Sequence, residues 1–203
     1  MILVARRGIQ PLARGLEITL AVVLFSLWPL HQWYYAVTGT GTVDNLYPLH
    51  LCDLGAILGG VALVSKNRFT GEVLYFWGLA GTLQGVITPA LTEDFPSPRY
   101  FMFFVMHIGV VITALYVMLG WRRAPRAMAK WKAWFLLNAY AVVVGGFNYL
   151  IGSNYGFLRR KPDSASLFDA LGPWPWYIVV ASLLGLVLFI VLDLPFIRSR
   201  RRI

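Results

Sequence analysis

The chain has 203 residues, of which 58% are hydrophobic and only 13% charged, whereas a soluble domain is nearer half apolar and a quarter charged. That balance excludes a water-soluble enzyme, and no stretch is both long and polar enough to form a second, soluble domain. A net charge of +9 on so apolar a chain reads as basic loops facing anionic lipid, not nucleic acid, and the single cysteine excludes an internal disulfide and a Cys-rich zinc site.

The sequence predicts an all-α, polytopic integral membrane protein: one domain over 1–203 with six transmembrane helices, each needing about 20 residues. The first span, 16–35, follows Arg6, Arg7 and Arg14. No small-x-small cleavage site follows it, and it ends in Trp28-Pro29-Leu30-His31-Gln32-Trp33-Tyr34-Tyr35. That ending is an interfacial anchor, so the run is a retained span and not a signal peptide. The second span is 46–64 and the third 72–91. The pairs Gly55/Gly59 and Gly81/Gly85 within them are four apart and predict close helix packing. The fourth span is 100–121, the fifth 132–151 and the sixth 174–197. The turns run Thr38-Gly39-Thr40-Gly41, 65–71, Thr92 to Arg99, 122–131 and Gly152 to Pro173. The last is the only long one, and long loops are often functional.

Fourteen basic residues fall on one side of this layout: Arg6, Arg7, Arg14, Lys66, Arg68, Arg122, Arg123, Arg126, Lys130, Lys132, Arg198, Arg200, Arg201 and Arg202. Only Arg99, Arg159, Arg160 and Lys161 fall on the other. The positive-inside bias places both termini in the cytoplasm. Trp33, Trp174 and Trp176 read as outer interfacial anchors, and Trp121, Trp131 and Trp134 as inner ones.

Polar side chains inside a bilayer are costly and mark sites. All three histidines and the cysteine fall in the outer third, together with Asp53, Gln84 and Asn148. At 1.5 Å per residue, Cys52 and His107 lie about 9–10 Å from the outer ends of their spans. His31, among aromatics, reads as a headgroup-level anchor. His50 divides between anchoring and function. Asp53 reads as a buried hydrogen-bonding group, and Gln84 and Asn148 as interhelical glue. Cys52 alone would be a small core hydrophobe, but His107 in an otherwise apolar span is harder to explain, and the shared depth suggests a reactive pair. A histidine can take the thiol proton, the sulfur can attack an ester carbonyl, and water or an alcohol can resolve the thioester. Asp53, Gln84 and Asn148 are candidates to orient the imidazole. A metal site built from the histidines and Asp53 competes with this reading, but the i, i+4 spacing of helical ligand pairs is missing. Neither a metal nor another cofactor is called for.

The runs Tyr47-Pro48-Leu49-His50-Leu51-Cys52-Asp53-Leu54, Tyr75-Phe76-Trp77-Gly78-Leu79-Ala80-Gly81-Thr82-Leu83-Gln84, Asn154-Tyr155-Gly156-Phe157-Leu158-Arg159-Arg160-Lys161-Pro162 and Gly172-Pro173-Trp174-Pro175-Trp176-Tyr177 closely resemble the bacterial YwaF-like membrane proteins. That family is related to the eukaryotic transmembrane-164 type acyltransferase of ether phospholipids and, more distantly, to the androgen-induced hydrolases of fatty-acid esters. The resemblance implies a cysteine nucleophile at Cys52 with a histidine partner at His107. It favours the acyltransferase branch over the hydrolases, whose nucleophile is threonine. It also implies residence in a bacterial cytoplasmic membrane.

The expectation is therefore an acyl-transfer enzyme or lipid esterase of the outer leaflet, acting on a phospholipid or lysolipid. Arg99, Arg159, Arg160 and Lys161 would hold the phosphate. The alternative is a binding or transport module that uses the same polar layer without turnover.

Overall fold

Apolar runs punctuated by Gly, Asn and Pro give helices joined by short turns, and among the described residues every regular element is helical. The computed structural model describes residues 1–91 and 93–200, without the side chains of residues 198 and 199. Arg201, Arg202, the Arg198 side chain and Thr92 of the predicted third turn lie outside the described residues.

A short helix α1 (Ile2–Arg6) leads into α2 (Gln10–Thr38), which carries Pro11 in its first turn and stops at Gly39 in the left-handed region, φ 67°. Next come α3 (Leu51–Ser65) and α4 (Arg68–Trp77), the latter capped by the Asn67 side chain, which accepts from Phe69 N–H and Thr70 N–H. Helix α4 runs through a π-turn, Gly78–Thr82, into α5 (Leu83–Ile87). Then follow α6 (Pro98–Leu119), α7 (Ala129–Ile151) and α8 (Trp176–Arg200). Four helices, Gln10–Thr38, Pro98–Leu119, Ala129–Ile151 and Trp176–Ile197, are long and apolar enough to cross a membrane.

The observed ends differ from the predicted ones chiefly in the second rod. Residues 46–50 are not helical, and α3 starts only at Leu51. Pro48 disfavours the α conformation in the residue before it, and His50 is extended at φ −67°, ψ 148° as the N-cap. Helix α3 is thus 15 residues, about 22 Å long, short of a roughly 30 Å hydrocarbon layer. Cys52 is thus the second residue of α3, not about 9 Å down a span, whereas His107 is nine residues past the start of α6, so the equal depths expected from the helix starts do not hold. The third rod starts at Arg68 and ends at Ile87, earlier than predicted at both ends.

The glycine pairs do the close packing expected of them. A Cβ on Gly59 would stand 2.9 Å from Leu24 Cδ1 of α2, and one on Gly55 would stand 3.3 Å from both Val110 Cγ1 of α6 and Thr82 Oγ1 of the π-turn. One on Gly81 would stand 3.0 Å from Leu51 Cδ2.

At the basic end, three buried carboxylates tie the helices together. Glu17 Oε1 accepts from Tyr116 Oη and Trp121 Nε1, both at 2.8 Å, while Oε2 meets Arg14 at 3.1 Å and Lys66 at 3.3 Å. Glu72 takes the Arg126 backbone N–H at 2.8 Å and its guanidinium at 2.7 Å. Asp193 takes Lys130 at 2.8 Å and Arg200 at 2.6 Å. The carboxylates hold the guanidinium groups of Arg126 and Arg200 charged above the ordinary arginine range, through hydrogen bonds to Glu72 and Asp193 respectively. Such pairs do more to fix register than to add net stability. Trp121, and Trp134, which donates to Ser182 O at 3.0 Å, are therefore internal fasteners rather than interfacial anchors. Trp33, Trp174 and Trp176 are exposed at the other end as expected.

At that opposite end the 39–50 loop is stitched to the 152–161 loop. Asp44 Oδ1 accepts from Asn154 N–H at 2.6 Å, and Oδ2 pairs with Arg160 at 2.9 Å. Tyr155 Oη accepts from Tyr47 N–H at 2.9 Å, and Tyr140 Oη donates to Leu49 O at 2.8 Å.

Candidate functional site

Glu17 of α2, Lys66 just past α3 and Trp121 just past α6 meet at the basic end. Fourteen residues back towards the opposite end lie His31, Cys52 and His107, one on each helix. Fourteen residues is about 21 Å of helix and close to four whole turns. That spacing is one of sequence, since Lys66 and Trp121 lie just past the ends of α3 and α6; the register of α2 on α3 is set by packing, Leu24 lying against Gly59, which brings His31 towards the level of Cys52, seven residues on from that contact along each helix. Side-chain packing between α3 and α6 fixes the same register: Gly55 faces Val110 and Gly59 faces Thr113, which puts Cys52 level with His107 one turn further on.

The hydrogen bonds assign the tautomers. His107 Nδ1 lies 2.8 Å from Phe103 O, and His31 Nδ1 lies 2.8 Å from Leu27 O. A carbonyl only accepts, so both protons sit on Nδ1 and both Nε2 atoms present a bare lone pair. His50 is different. Its Nε2 donates to Asp44 O at 2.9 Å and its Nδ1 accepts from Gly156 N–H at 3.3 Å. Both ring nitrogens are spent, so His50 is a strut between the two loops.

Local structure holds His107 in place. Its ring is stacked on Phe103 at 3.9 Å, and its Cδ2–Nε2 edge meets α5, where a Cβ on Gly85 would stand 2.4 Å from Cδ2 and 2.6 Å from Nε2. His107 is 4% exposed and lies within electrostatic reach of His31 and His50. Cys52 occupies the second position of α3. The first-turn N–H groups of a helix lack intrahelical acceptors, and the dipole there favours negative charge. In α3 the first closing bond is Leu54 N–H to His50 O at 3.1 Å, so the amides of Leu51 and Cys52 precede the intrahelical ladder. Asp53 accepts from His50 N–H at 3.3 Å, so it caps the helix, and among the described residues it makes no bond that orients an imidazole. Cys52 and Asp53 are each half-buried at the start of α3. No hydrogen bond joins Cys52 to His107 among the described residues; the two are level across one seam.

The π-turn contributes Thr82, which is 4% exposed with a hydroxyl that has no partner. π-Turns are frequent at functional sites. Gln84, next along, is half-buried, and its side chain makes no hydrogen bond among the described residues. Tyr35 stands within electrostatic reach of Cys52, Asp53, Glu93 and Arg99. Arg99 lies over the Tyr35 ring at 5.1 Å and pairs with Glu93 at 3.0 Å.

The other predicted site residues lie elsewhere. Asn148 is fully buried: its Oδ1 accepts from Ser153 Oγ and Tyr155 N–H, and its Nδ2 donates to Tyr155 O, so it braces the 152–157 loop. Arg160 is paired with Asp44, and Lys161 lies over the Tyr177 ring at 5.8 Å. Arg159 Nη1 donates to Asn148 O and Ser153 O, both at 3.3 Å, and its side chain lines a surface groove of about 510 Å³ with Gly145, Tyr149, Leu158 and Trp174. The four basic groups thus divide between two places and do not form one cluster. His31 is 9% exposed and faces inward, which corrects its reading as a headgroup-level anchor. Thr82 and the inward face of His31 were missed. The recoverable signal was the fourteen-residue spacing to Glu17, Lys66 and Trp121. No group of His, Cys, Asp and Glu arranged for a metal ion occurs among the described residues.

Residues 1–193 match the model of the TMEM164 family. An uncharacterized protein of Treponema pallidum (strain Nichols) is 25% identical over 154 residues, which is 75% of this chain. The chain spans 63% of that relative's length. No solved structure matches the chain.

Proposed function

The chain belongs to the TMEM164 family, and we propose that it is an intramembrane acyl-transfer enzyme in which Cys52 is the nucleophile and His107 its base. What supports this reading is the packing of Gly55 on Val110 and Gly59 on Thr113, which sets Cys52 of α3 level with His107 of α6, together with the unspent Nε2 lone pair of His107 and the place of the cysteine at a helix N-terminus. His107 Nε2 takes the thiol proton, and the Cys52 sulfur attacks the carbonyl carbon of an acyl ester. The C–O bond breaks, His107 hands the proton to the departing alkoxide, and the acyl group stays on sulfur as a thioester. The Leu51 and Cys52 amides and the Thr82 hydroxyl are the unspent donors nearest the developing oxyanion. Hydrogen bonds of this kind are commonly long before substrate binds, which fits level but unbonded partners.

In this reading the α4–π–α5 rod and the short α3 join the four long helices as a six-span bundle. The basic end faces the cytoplasm, and a recess beside Cys52 opens in the outer leaflet of a bacterial cytoplasmic membrane. The substrate is a phospholipid or lysolipid, whose ester lies at the boundary of headgroup and hydrocarbon. Arg99 meets the phosphate, and Arg159 offers its remaining N–H groups to a second one. Arg160 and Lys161 contribute less, since Asp44 and Tyr177 hold them. The protein in lipid nanodiscs, given phospholipid with a labelled acyl chain, acquires a hydroxylamine-labile label that Cys52→Ala abolishes. Unlabelled wild-type protein, or a labelled Cys52→Ala protein, refutes the proposal.

A further inference from the structure

Position and chemistry together make His31 a second base. It is 9% exposed on α2, and the packing of Leu24 on Gly59 brings it towards the level of Cys52, seven residues on from that contact along each helix. Its Nδ1–H is committed to Leu27 O at 2.8 Å, and Nε2 has no hydrogen-bond partner among the described residues. It lies within electrostatic reach of His107 and of Arg99, and Tyr35, one turn on along α2, is within reach of Cys52. One imidazole suffices to activate the thiol. Helix α3 packs against α6 through Gly55 and Val110 and against α2 through Gly59 and Leu24, so His107 and His31 flank the Cys52 helix from two sides, and the proposed function assigns the thiol to His107.

We infer that His31 is the base for the second half-reaction, taking the proton from the hydroxyl group that attacks the acyl-thioester; this rests on the acyl-transfer reading of Cys52. As the acceptor O–H is deprotonated by His31 Nε2, its oxygen forms the new C–O bond to the acyl carbon. The C–S bond breaks, its electron pair leaves with sulfur, and the proton passes from His31 to the Cys52 thiolate, restoring the thiol. The acceptor is either water or the free hydroxyl of a lysophospholipid. Both present the same O–H to the same nitrogen. Dividing the work between two histidines lets the donor's leaving group depart from beside His107 before the acceptor enters beside His31.

The test follows the two half-reactions separately in nanodiscs with a labelled acyl donor. Asn replaces each histidine, because its amide N–H can keep the bond to the i−4 carbonyl while offering no basic nitrogen. His31→Asn leaves the rate of Cys52 labelling within a few-fold of wild type but slows release of the label by roughly 10²-fold, within the usual worth of a positioned base, so the acyl-enzyme accumulates. Added hydroxylamine, which needs no base, restores release. His107→Asn slows labelling instead. Runs with and without lysophospholipid distinguish the acceptors: labelled diacyl lipid appears if the lipid hydroxyl is used, and free fatty acid if water is. A His31→Asn protein that releases label at the wild-type rate, or loses labelling and release equally, overturns the role of His31 while the thioester chemistry stands. A wild-type protein that never labels at Cys52 overturns both.

Discussion

Gly85 sets the position of the His107 ring, so the smallest possible side chain there should disable the base without touching it chemically. A Cβ at this position would stand 2.4 Å from Cδ2 and 2.6 Å from Nε2, where ordinary contact begins near 3.4 Å. The ring must retreat by about 1 Å, and overpacking on this scale costs about 1–3 kcal/mol. It has little room to do so: Phe103 stacks on it at 3.9 Å, and the Nδ1–H bond to Phe103 O anchors it at 2.8 Å. Gly→Ala inside a helix returns up to about 1 kcal/mol, so the net destabilisation of Gly85→Ala is about 0–2 kcal/mol. The effect on rate is larger, since a misplacement near 1 Å in a reacting geometry costs on the order of 10²-fold. The assay is the rate of thioester formation on Cys52 in nanodiscs, with thermal unfolding measured on the same samples. The reasoning predicts a folded protein with a strongly slowed acylation step. Phe103→Leu in the same chain should recover part of the rate by giving the ring space. Wild-type acylation by Gly85→Ala would refute the placement of His107 against α5.

Glu17→Ala strands the Tyr116 hydroxyl and the Trp121 indole N–H, and at about 1–2 kcal/mol each it should cost about 2–4 kcal/mol in thermal or denaturant unfolding; Glu17→Gln, which keeps one acceptor, should cost less. His50→Ala breaks both loop bonds of the ring, so hydrogen exchange should rise together in residues 42–47 and 153–160, with no change in the pH dependence of acylation. In a Cys52→Ser background, a thiol at the exposed Thr40 should react with an impermeant reagent added outside intact cells, and one at the exposed Ala127 should not. The reverse pattern would invert the bundle.

Hydropathy and helical rise are local properties, so the sequence alone determined that this is an all-helical membrane protein and roughly where its rods lie, whereas the level of Cys52 against His107 was decided by packing, because Pro48 delays the start of α3 and Gly55 and Gly59 seat it on Val110 and Thr113. The glycine pairs were legible for the same reason: a four-residue repeat of residues without side chains marks a face that another helix approaches closely. Height along a helix says nothing of which way a side chain faces or which of its atoms are already bound. Those follow from neighbours far away in sequence. Asp44 and Gly156 spend both nitrogens of His50, whereas Leu27 and Phe103 take only Nδ1 of His31 and His107. Ser153 and Tyr155 occupy Asn148, and Asp44 holds Arg160 from 116 residues away. The tertiary structure therefore decided which polar groups are structural and which still have a lone pair to use, because a buried polar group is defined by the partner that satisfies it.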